Sequence, residues 1–363
     1  MHKRSSSIIV SCTKGRAQLF LNGVIMNEIK LNINHTINPF CCMVSGISDQ
    51  YAWKTGNKLP QYYLLWASGM CGFTYVKYKK AIPPRMIFFG INTKNQYDNI
   101  CKIMNCTYGK YENLIFDSTL TKIKNSINKG CPVIIGPLDM YYLPYLKFYQ
   151  NTHIPIHYLM VIGFNETDKK IIVYDCDKEN EQNIDCDLIK NALNVNVPGI
   201  GKKNTIHIFH WSKEIPSIKE IAYKSLSLKV DFMLNPPINN LGINGMRKLA
   251  SEIIKWPIEL TENEINKSLQ NMVEYMNNKF EGKIYDGGRI RFADEYLSTT
   301  SDILGKKELR EVIGKYHESG YLLDEMAKQI LKNNYSIDKI SSAFTKVADI
   351  EEDIYQKISF ILK

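Results

Sequence analysis

The stretch HYLMVIGFNETDKKIIVYD at residues 157–175 decides the fold, because it contains two apolar runs separated by a polar turn. The runs predict two buried strands, and the turn NETDKK between them predicts a β-hairpin of the longer-loop kind. A hairpin brings the start of its first strand close to the end of its second strand. We therefore expect His157 and Asp175 to be neighbours, so that the carboxylate orients one ring nitrogen and leaves the other available.

A pair of cysteines lies upstream in NPFCCMVSGI, residues 38–47, directly before a predicted helix. Apolar residues follow the pair at helical spacing: Val44, Ile47, Tyr51 and Ala52. The thiolate is the nucleophilic form of cysteine, and the free N–H groups of a helix N-terminus beside an imidazolium favour that form. The pattern predicts that Cys42 is a nucleophile, that His157 activates it and that Asp175 orients His157.

Each of these three residues also has an ordinary structural explanation. A buried cysteine is usually a small apolar residue, a histidine at a strand start is usually structural, and an aspartate often ends a strand before a turn. The order Cys, His, Asp along the chain is that of papain-like enzymes. The combined order, strand spacing and helix position favour a catalytic triad over three unrelated structural residues.

The composition argues against several classes of protein. The 363-residue chain has a net charge of +9, but its lysines are scattered and accompany no nucleic-acid-binding motif, so we expect no nucleic acid partner. A basic surface suits an acidic protein partner, although it fits a solvated surface without a partner equally well. Nine cysteines without a C-x-x-C motif indicate free thiols in a reducing cytosol, and their positions do not group as metal ligands.

The apolar segments indicate neither a membrane span nor an export signal. The longest of them, residues 62–76, is shorter than the ~20 residues that a membrane helix needs. The apolar run near the N-terminus is too short for a signal peptide. We therefore expect a soluble cytoplasmic protein with no membrane association.

The pattern of the chain changes after about residue 205. Before it, short apolar runs predict strands that alternate with helices, whereas segments such as INGMRKLASEIIKW, residues 243–256, have helical periodicity after it. We therefore predict an α+β catalytic domain at residues 1–205 and an all-helical C-terminal domain at residues 206–363.

Several blocks of sequence resemble the butirosin-biosynthesis acyltransferase family. In the first part of the chain they are CCMVSGI at 41–47, LLWASGMCGFTY at 64–75, GCPVIIGPLDMYYLPY at 130–145 and HIPIHYLMVIGF at 153–164. LGINGMRKLASEIIKW at 241–256 and GGRIRFADEYL at 287–297 resemble the helical domain that often follows in this family. The resemblance implies a papain-like cysteine protease or acyltransferase fold with an appended all-helical domain.

The same resemblance implies acyl transfer in the biosynthesis of a specialised, antibiotic-type metabolite. The donor is an acyl carrier protein whose phosphopantetheine thioester carries the acyl group, and the acceptor is a small amine. Cys42 takes the acyl group and His157 deprotonates the amine, so that an amide forms. No bound cofactor is implied, because the phosphopantetheine arrives with the carrier protein.

The sequence departs from the family pattern around the nucleophile. The family often has a histidine before the cysteine, where this chain has Cys41. Small residues follow the family's nucleophile at the third and fourth positions, and Ser45 and Gly46 match that spacing when it is counted from Cys42. Papain-like peptidases also have an upstream glutamine that helps to bind the oxyanion, and this chain has none at residues 27–41. Asn38 is our candidate for that function, with capping of a loop as the structural alternative.

An aromatic segment is the candidate substrate pocket. We predict that the cleft beside His157 is lined by Asp139, Tyr141, Tyr142, Tyr145 and His153, the other histidine of the family's pair. These tyrosines would shape a channel for the acyl group or the amine, and Asp139 would attract a cationic amine. Packing against the helical domain is the alternative function of the tyrosines.

Two other activities fit the same residues. A papain-like cysteine peptidase or amidase would use the same triad, with water in place of the amine. A catalytically inactive binding protein on the same scaffold is the other alternative, and the intact set of Cys42, His157 and Asp175 argues against it.

Overall fold

The computed structural model describes residues 9–13, 16–21, 24–25, 28–38, 41–70, 72–88, 90, 96–276, 279–280, 283–284 and 288–363. The chain divides into two compact units. The first contains Met1–Gln61 and Asn105–Ile215, and the second contains Tyr62–Met104 and Pro216–Lys363. Both units are thus discontinuous in sequence, and the predicted domain division at residues 205/206 stays a prediction.

The strands and helices alternate in the first part of the chain, and helices dominate the last part. The strands are β1 Ile9–Thr13, β2 Arg16–Leu21, β3 Val24–Ile25, β4 Glu28–Lys30, β5 Thr74–Lys77, β6 Arg85–Phe88, β7 Cys106–Tyr111, β8 Val133–Leu138, β9 His157–Asn165, β10 Lys170–Tyr174, β11 Gln182–Asp185, β12 Ile206–Trp211, β13 Lys279–Phe280 and β14 Lys283–Ile284. The α-helices are α1 Cys42–Thr55, α2 Gln61–Ser68, α3 Gln96–Met104, α4 Phe116–Asn128, α5 Cys186–Ala192, α6 Ile218–Leu234, α7 Gly242–Ile253, α8 Trp256–Glu259, α9 Glu262–Met276, α10 Arg289–Arg291, α11 Ser298–Leu304, α12 Ile313–Leu331 and α13 Ile337–Leu362. The predicted mixture of helix and strand with a helical C-terminal region is confirmed, and the papain-like character of the fold stays a prediction.

An antiparallel sheet organises the first unit. Its strand order is β11-β10-β9-β8-β12-β7, and β4 also pairs with β9. The predicted hairpin is present as β9 and β10, whose register pairs Tyr174 with Met160. Every residue of β9 except its last is buried, which explains the nearly continuous apolar sequence of that strand. The hairpin places the first residue of β9, His157, near the residue that follows β10, Asp175.

Helix α1 packs closely against this sheet because of a glycine. A Cβ atom at Gly46 would lie 2.5 Å from Cδ1 of Ile134 on β8 and 2.9 Å from Cβ of Met160 on β9. Any larger residue would push the helix away from the sheet. Gly46 therefore sets the distance between the helix that begins at Cys42 and the strand that begins at His157.

The second unit is built mainly of helices and contains the β5–β6 hairpin. The predicted apolar stripe of helix α7 is buried: Ile243, Met246, Leu249, Ala250 and Ile253. Helix α13 packs against α6, α7 and α12. Strand β5 lies beside the residues that precede α7, since the N–H of Tyr75 donates to the carbonyl of Asn240 at 2.8 Å.

Among the described helices, none has the length and apolar character required to cross a membrane.

Candidate active site

His157 and Asp175 form a buried pair at the end of the β9–β10 hairpin. Nε2 of His157 lies 2.8 Å from each carboxylate oxygen of Asp175. The side chains of the two residues are 5% and 0% exposed, respectively. Nε2 therefore donates its hydrogen to the carboxylate, and Nδ1 is the ring nitrogen left for a second partner.

Two further donors hold the carboxylate of Asp175. The hydroxyl of Tyr145 donates to Oδ2 at 2.8 Å, and the backbone N–H of Cys176 donates to Oδ1 at 2.7 Å. Burial raises the pKa of Asp175, but the hydrogen bonds to His157, Tyr145 and the N–H of Cys176 outweigh burial and lower it. These hydrogen bonds therefore favour the ionised form of Asp175 and hold its carboxylate in one orientation.

The two adjacent cysteines differ in position and exposure. Helix α1 begins at Cys42, and Cys41 is its N-cap residue. Cys41 is buried, with 6% of its surface exposed, whereas Cys42 is partly exposed. The N–H of Cys42 belongs to the first helical turn, where N–H groups have no carbonyl partner within the helix. Cys42, at the helix N-terminus, is therefore the more accessible of the two cysteines.

The side chains of Cys42 and His157 interact, and the pKa of His157 depends on this interaction. Burial lowers the pKa of His157, but the charge of Cys42 and the hydrogen bonds of Asp175 and Cys42 outweigh it and raise the pKa to about 10. These interactions favour the imidazolium form of His157. The three residues that the sequence predicts as a triad are brought together in the order Cys42, His157, Asp175.

The oxyanion candidate Asn38 lies near the triad acid. Its backbone N–H donates to the carbonyl of Cys176 at 2.6 Å, and the residue is half-buried. This bond fixes the main chain of residue 38 beside the residue that follows Asp175. The function of the Asn38 side chain stays a prediction.

The candidate pocket residues lie in two places. Tyr145 contacts the triad acid, as described above. Asp139 is buried and accepts hydrogen bonds from the N–H groups of Tyr141 and Ile154, and its Oδ2 lies 2.6 Å from Nδ1 of His153. The mostly exposed ring of His153 stacks on Tyr141, with a centroid distance of 4.1 Å.

Tyr142 completes this second group, because its ring meets Tyr141 edge-on at a centroid distance of 5.1 Å. Both oxygens of Asp139 thus bind donors of the chain itself, and the carboxylate orders the loop between β8 and β9. Whether the tyrosines contact a substrate stays a prediction.

The structure adds His35 and Asp49 to the surroundings of the triad. Nδ1 of His35 lies 2.6 Å from Oδ2 of Asp49, and its Nε2 lies 2.9 Å from the backbone carbonyl oxygen of Asp175. Sequence reasoning did not single out this pair. Asp49 follows Cys42 by two helical turns, so a carboxylate on the same helix face as the nucleophile is the signal that could have found it.

The triad acid also belongs to one group of possible metal ligands among the described residues. Ligand atoms of Asp175, Cys176 and Asp177 lie within 4.8 Å of one another. The carboxylate of Asp175 already accepts hydrogen bonds from His157, Tyr145 and the Cys176 N–H. A metal ion bound here would have to displace these hydrogen-bond donors from the Asp175 carboxylate.

Comparison with known families gives two matches. Residues 41–176 match the family described as butirosin biosynthesis protein H, N-terminal. Residues 190–358 match a domain of unknown function (DUF4872). No curated protein matches the chain. The first match begins at Cys41 and ends at Cys176, so it includes Cys42, His157 and Asp175.

Proposed function

Because the chain belongs to the butirosin biosynthesis protein H family, we propose that it is an amide-forming cysteine acyltransferase. Membership of this family implies a biosynthetic enzyme of antibiotic metabolism. The observation that carries the finer proposal is the partly exposed Cys42, which interacts with a buried His157 that Asp175 holds. This arrangement is suited to forming and resolving a thioester on Cys42.

The first half of the reaction transfers the acyl group to the enzyme. The thiolate of Cys42 attacks the thioester carbonyl of the acylated phosphopantetheine, and the carbonyl electron pair moves onto oxygen. The tetrahedral intermediate collapses, the carbon–sulfur bond to phosphopantetheine breaks, and His157 gives its proton to the departing thiolate. The products are acyl-Cys42, a free carrier thiol and a neutral His157.

The second half forms the amide. The amine attacks the carbonyl of acyl-Cys42 while neutral His157 takes one proton from its nitrogen. The new intermediate collapses with loss of the Cys42 thiolate, which restores the starting pair of thiolate and imidazolium. Asp175 stays ionised throughout and stabilises the charged His157. The exchange of one thioester for another is nearly balanced, and aminolysis drives the overall reaction forward.

The oxyanion of both intermediates needs hydrogen-bond donors. The backbone N–H of Cys42 at the start of helix α1 is one, because the helix dipole also favours negative charge there. The Asn38 side chain is the proposed second donor. Its main chain is held beside the triad by the bond to Cys176.

The proposed partners follow from charge and chemistry. The chain carries a net charge of +9, which complements an acidic carrier protein during encounter. The carrier brings the phosphopantetheine, and a small amine is the acceptor. The cysteines at positions 41, 42, 101, 106, 131, 176 and 186 are free thiols, which fits a reducing cytoplasm as the place of action.

An assay with and without an amine tests this function. The enzyme is incubated with acylated carrier protein and a panel of small amines, and the products are identified by mass spectrometry. We expect an amide only when amine is present. Free acid formed at the same rate with and without amine would instead identify a hydrolase, and unchanged acyl carrier would identify a binding protein.

A further inference from the structure

A second histidine–aspartate pair lies behind the triad acid. Nδ1 of His35 is 2.6 Å from Oδ2 of Asp49, and the two side chains are only 4% and 1% exposed. The other ring nitrogen, Nε2, is 2.9 Å from the backbone carbonyl oxygen of Asp175. The imidazole also stacks on Tyr174, with ring centroids 4.6 Å apart and planes 7° apart. The ring is thus held at both nitrogens and on one face.

These contacts require the pair to hold an extra proton. A carbonyl oxygen only accepts, so Nε2 of His35 must carry a hydrogen. A second hydrogen must lie between Nδ1 and Oδ2, because two lone pairs would repel at 2.6 Å. The pair is therefore either imidazolium with carboxylate or imidazole with carboxylic acid, and either form carries one proton more than a neutral histidine beside a carboxylate.

The surroundings of the pair favour this extra proton. Burial lowers the pKa of His35, but the hydrogen bond and charge of Asp49 and the carbonyl and charge of Asp175 outweigh burial and raise it. Burial raises the pKa of Asp49 more than its bonds to His35 and Thr36 lower it. Both shifts act to retain the proton on the pair.

The pair connects the two sides of the triad. Asp49 lies on helix α1, two turns after Cys42, and its Oδ1 accepts the N–H of Thr36 at 3.1 Å. His35 binds the main chain of Asp175 rather than its carboxylate. The pair therefore links the helix that begins at the nucleophile to the backbone that carries the triad acid.

We propose that His35 and Asp49 are positioning residues that fix the nucleophile helix and the triad acid relative to each other. This inference rests on the proposed function of the triad. The carboxylate of Asp175 must stay within hydrogen-bond distance of His157, and Cys42 must stay in contact with the same ring. A rigid link between α1 and Asp175 maintains both contacts at once.

Alkylation of Cys42 tests the proposal without a substrate. The rate of Cys42 alkylation by iodoacetamide near neutral pH is measured by mass spectrometry of peptides from the full-length chain. We expect His35→Gln to slow alkylation of Cys42 about tenfold, the loss expected when a hydrogen bond to a charged group is removed. His317→Gln is the matched control, because it breaks a histidine–aspartate pair in the second unit, 2.7 Å from Nε2 to Asp294 Oδ1. Cys42 of this control variant should be alkylated at the wild-type rate.

Two variants of Asp49 separate positioning from a general loss of structure. In Asp49→Asn the amide nitrogen can donate to Nδ1 of a neutral His35, and the amide oxygen can still accept the N–H of Thr36. The rate of Cys42 alkylation in this variant should therefore stay within about threefold of the wild-type rate. Asp49→Ala keeps neither bond and should be as slow as His35→Gln. In all four variants the buried thiols of Cys101 and Cys176 should stay unlabelled.

The outcomes distinguish this inference from the proposed function. The pair does not position the triad if Cys42 of His35→Gln is alkylated at the wild-type rate. The same conclusion follows if Cys101 and Cys176 become labelled in that variant. The inference would likewise be overturned if Cys42 of Asp49→Asn were alkylated as slowly as Cys42 of Asp49→Ala. If Cys42 of the wild type reacts no faster than an ordinary exposed thiol, the proposed function fails, and the inference fails with it.

Discussion

Nε2 of His157 lies 2.8 Å from both carboxylate oxygens of Asp175, although 18 positions separate the two residues in the chain. The β9–β10 hairpin makes this contact, because its strands are antiparallel and the end of β10 therefore lies beside the start of β9. The carboxylate has two other donors, and the ring has Cys42 as its other partner. The positions of Asp175 and His157 are therefore each set by more than one neighbour.

The hydroxyl of Tyr145 supports the triad acid. Tyr145→Phe removes one hydrogen bond from the Asp175 carboxylate and leaves the ring in place. We expect the rate of acyl transfer to fall about tenfold with little change in the Michaelis constant, because the lost bond is one to a charged group. Steady-state kinetics measure the effect. Tyr149→Phe, whose hydroxyl accepts from Gln150, is the control, and equal rates for the two variants would contradict the assignment.

The close packing of Gly46 should be essential for the site. Gly46→Ala places a methyl group against Ile134 and Met160, and we expect a loss of ~1–3 kcal/mol in the free energy of unfolding. Helix α1 must also shift, so the rate of Cys42 alkylation should fall. Gly314→Ala in helix α12 is the control, because a Cβ atom there meets no atom within 4 Å. A Gly46→Ala protein as stable and as reactive as this control would show that the helix does not need the glycine.

The raised pKa of His157 can be measured directly by titration. Nuclear magnetic resonance of the chain with labelled histidine should show an imidazole that titrates with a pKa of about 10. Cys42→Ala removes the interaction with Cys42 that raises the pKa of His157 while burial remains, so the pKa of His157 should fall. His157→Gln assigns the signal. An unchanged value in Cys42→Ala would mean that Cys42 and His157 do not interact.

His207 should make the folded chain sensitive to acid. Burial, followed by the charge of Lys110, lowers the pKa of His207 to about 3, from an ordinary value of 6.5. Between these values the unfolded chain binds a proton that the folded chain does not, so stability falls as the pH is lowered through this window. Urea unfolding at neutral pH and at about pH 5 should show a loss that is ~2 kcal/mol smaller in His207→Gln. The same loss in both proteins would contradict this expectation.

The sequence predicts the local elements of the site well. The apolar runs before and after NETDKK give β9 and β10, and helical spacing after Cys42 gives α1. Both patterns are local, because a strand or helix face is set by residues that are near in sequence. Cys42 is the more exposed of the two adjacent cysteines, but its choice as the nucleophile, made from the small residues at positions 45 and 46, stays a prediction.

Long-range contacts could not be predicted in this way. The bond from His35 to the carbonyl of Asp175 joins residues 140 positions apart, and no periodicity reports such a pair. The bond from Tyr145 to Asp175 is of the same kind, and Tyr145 was predicted only as a pocket residue. Strand β5 is likewise bonded to the turn that precedes α7, through Tyr75 and Asn240, and the order of residues in the chain does not reveal this contact.

The most direct test of the account is mass spectrometry of the intact protein after incubation with an acylated carrier protein. We predict one acyl adduct, mapped to Cys42, that disappears as amide forms when amine is added. Cys42→Ala should carry no adduct, whereas Cys41→Ala should carry it at much of the wild-type level. An adduct on Cys41, or none in the wild-type chain, would contradict the assignment of Cys42 as the acyl-carrying nucleophile.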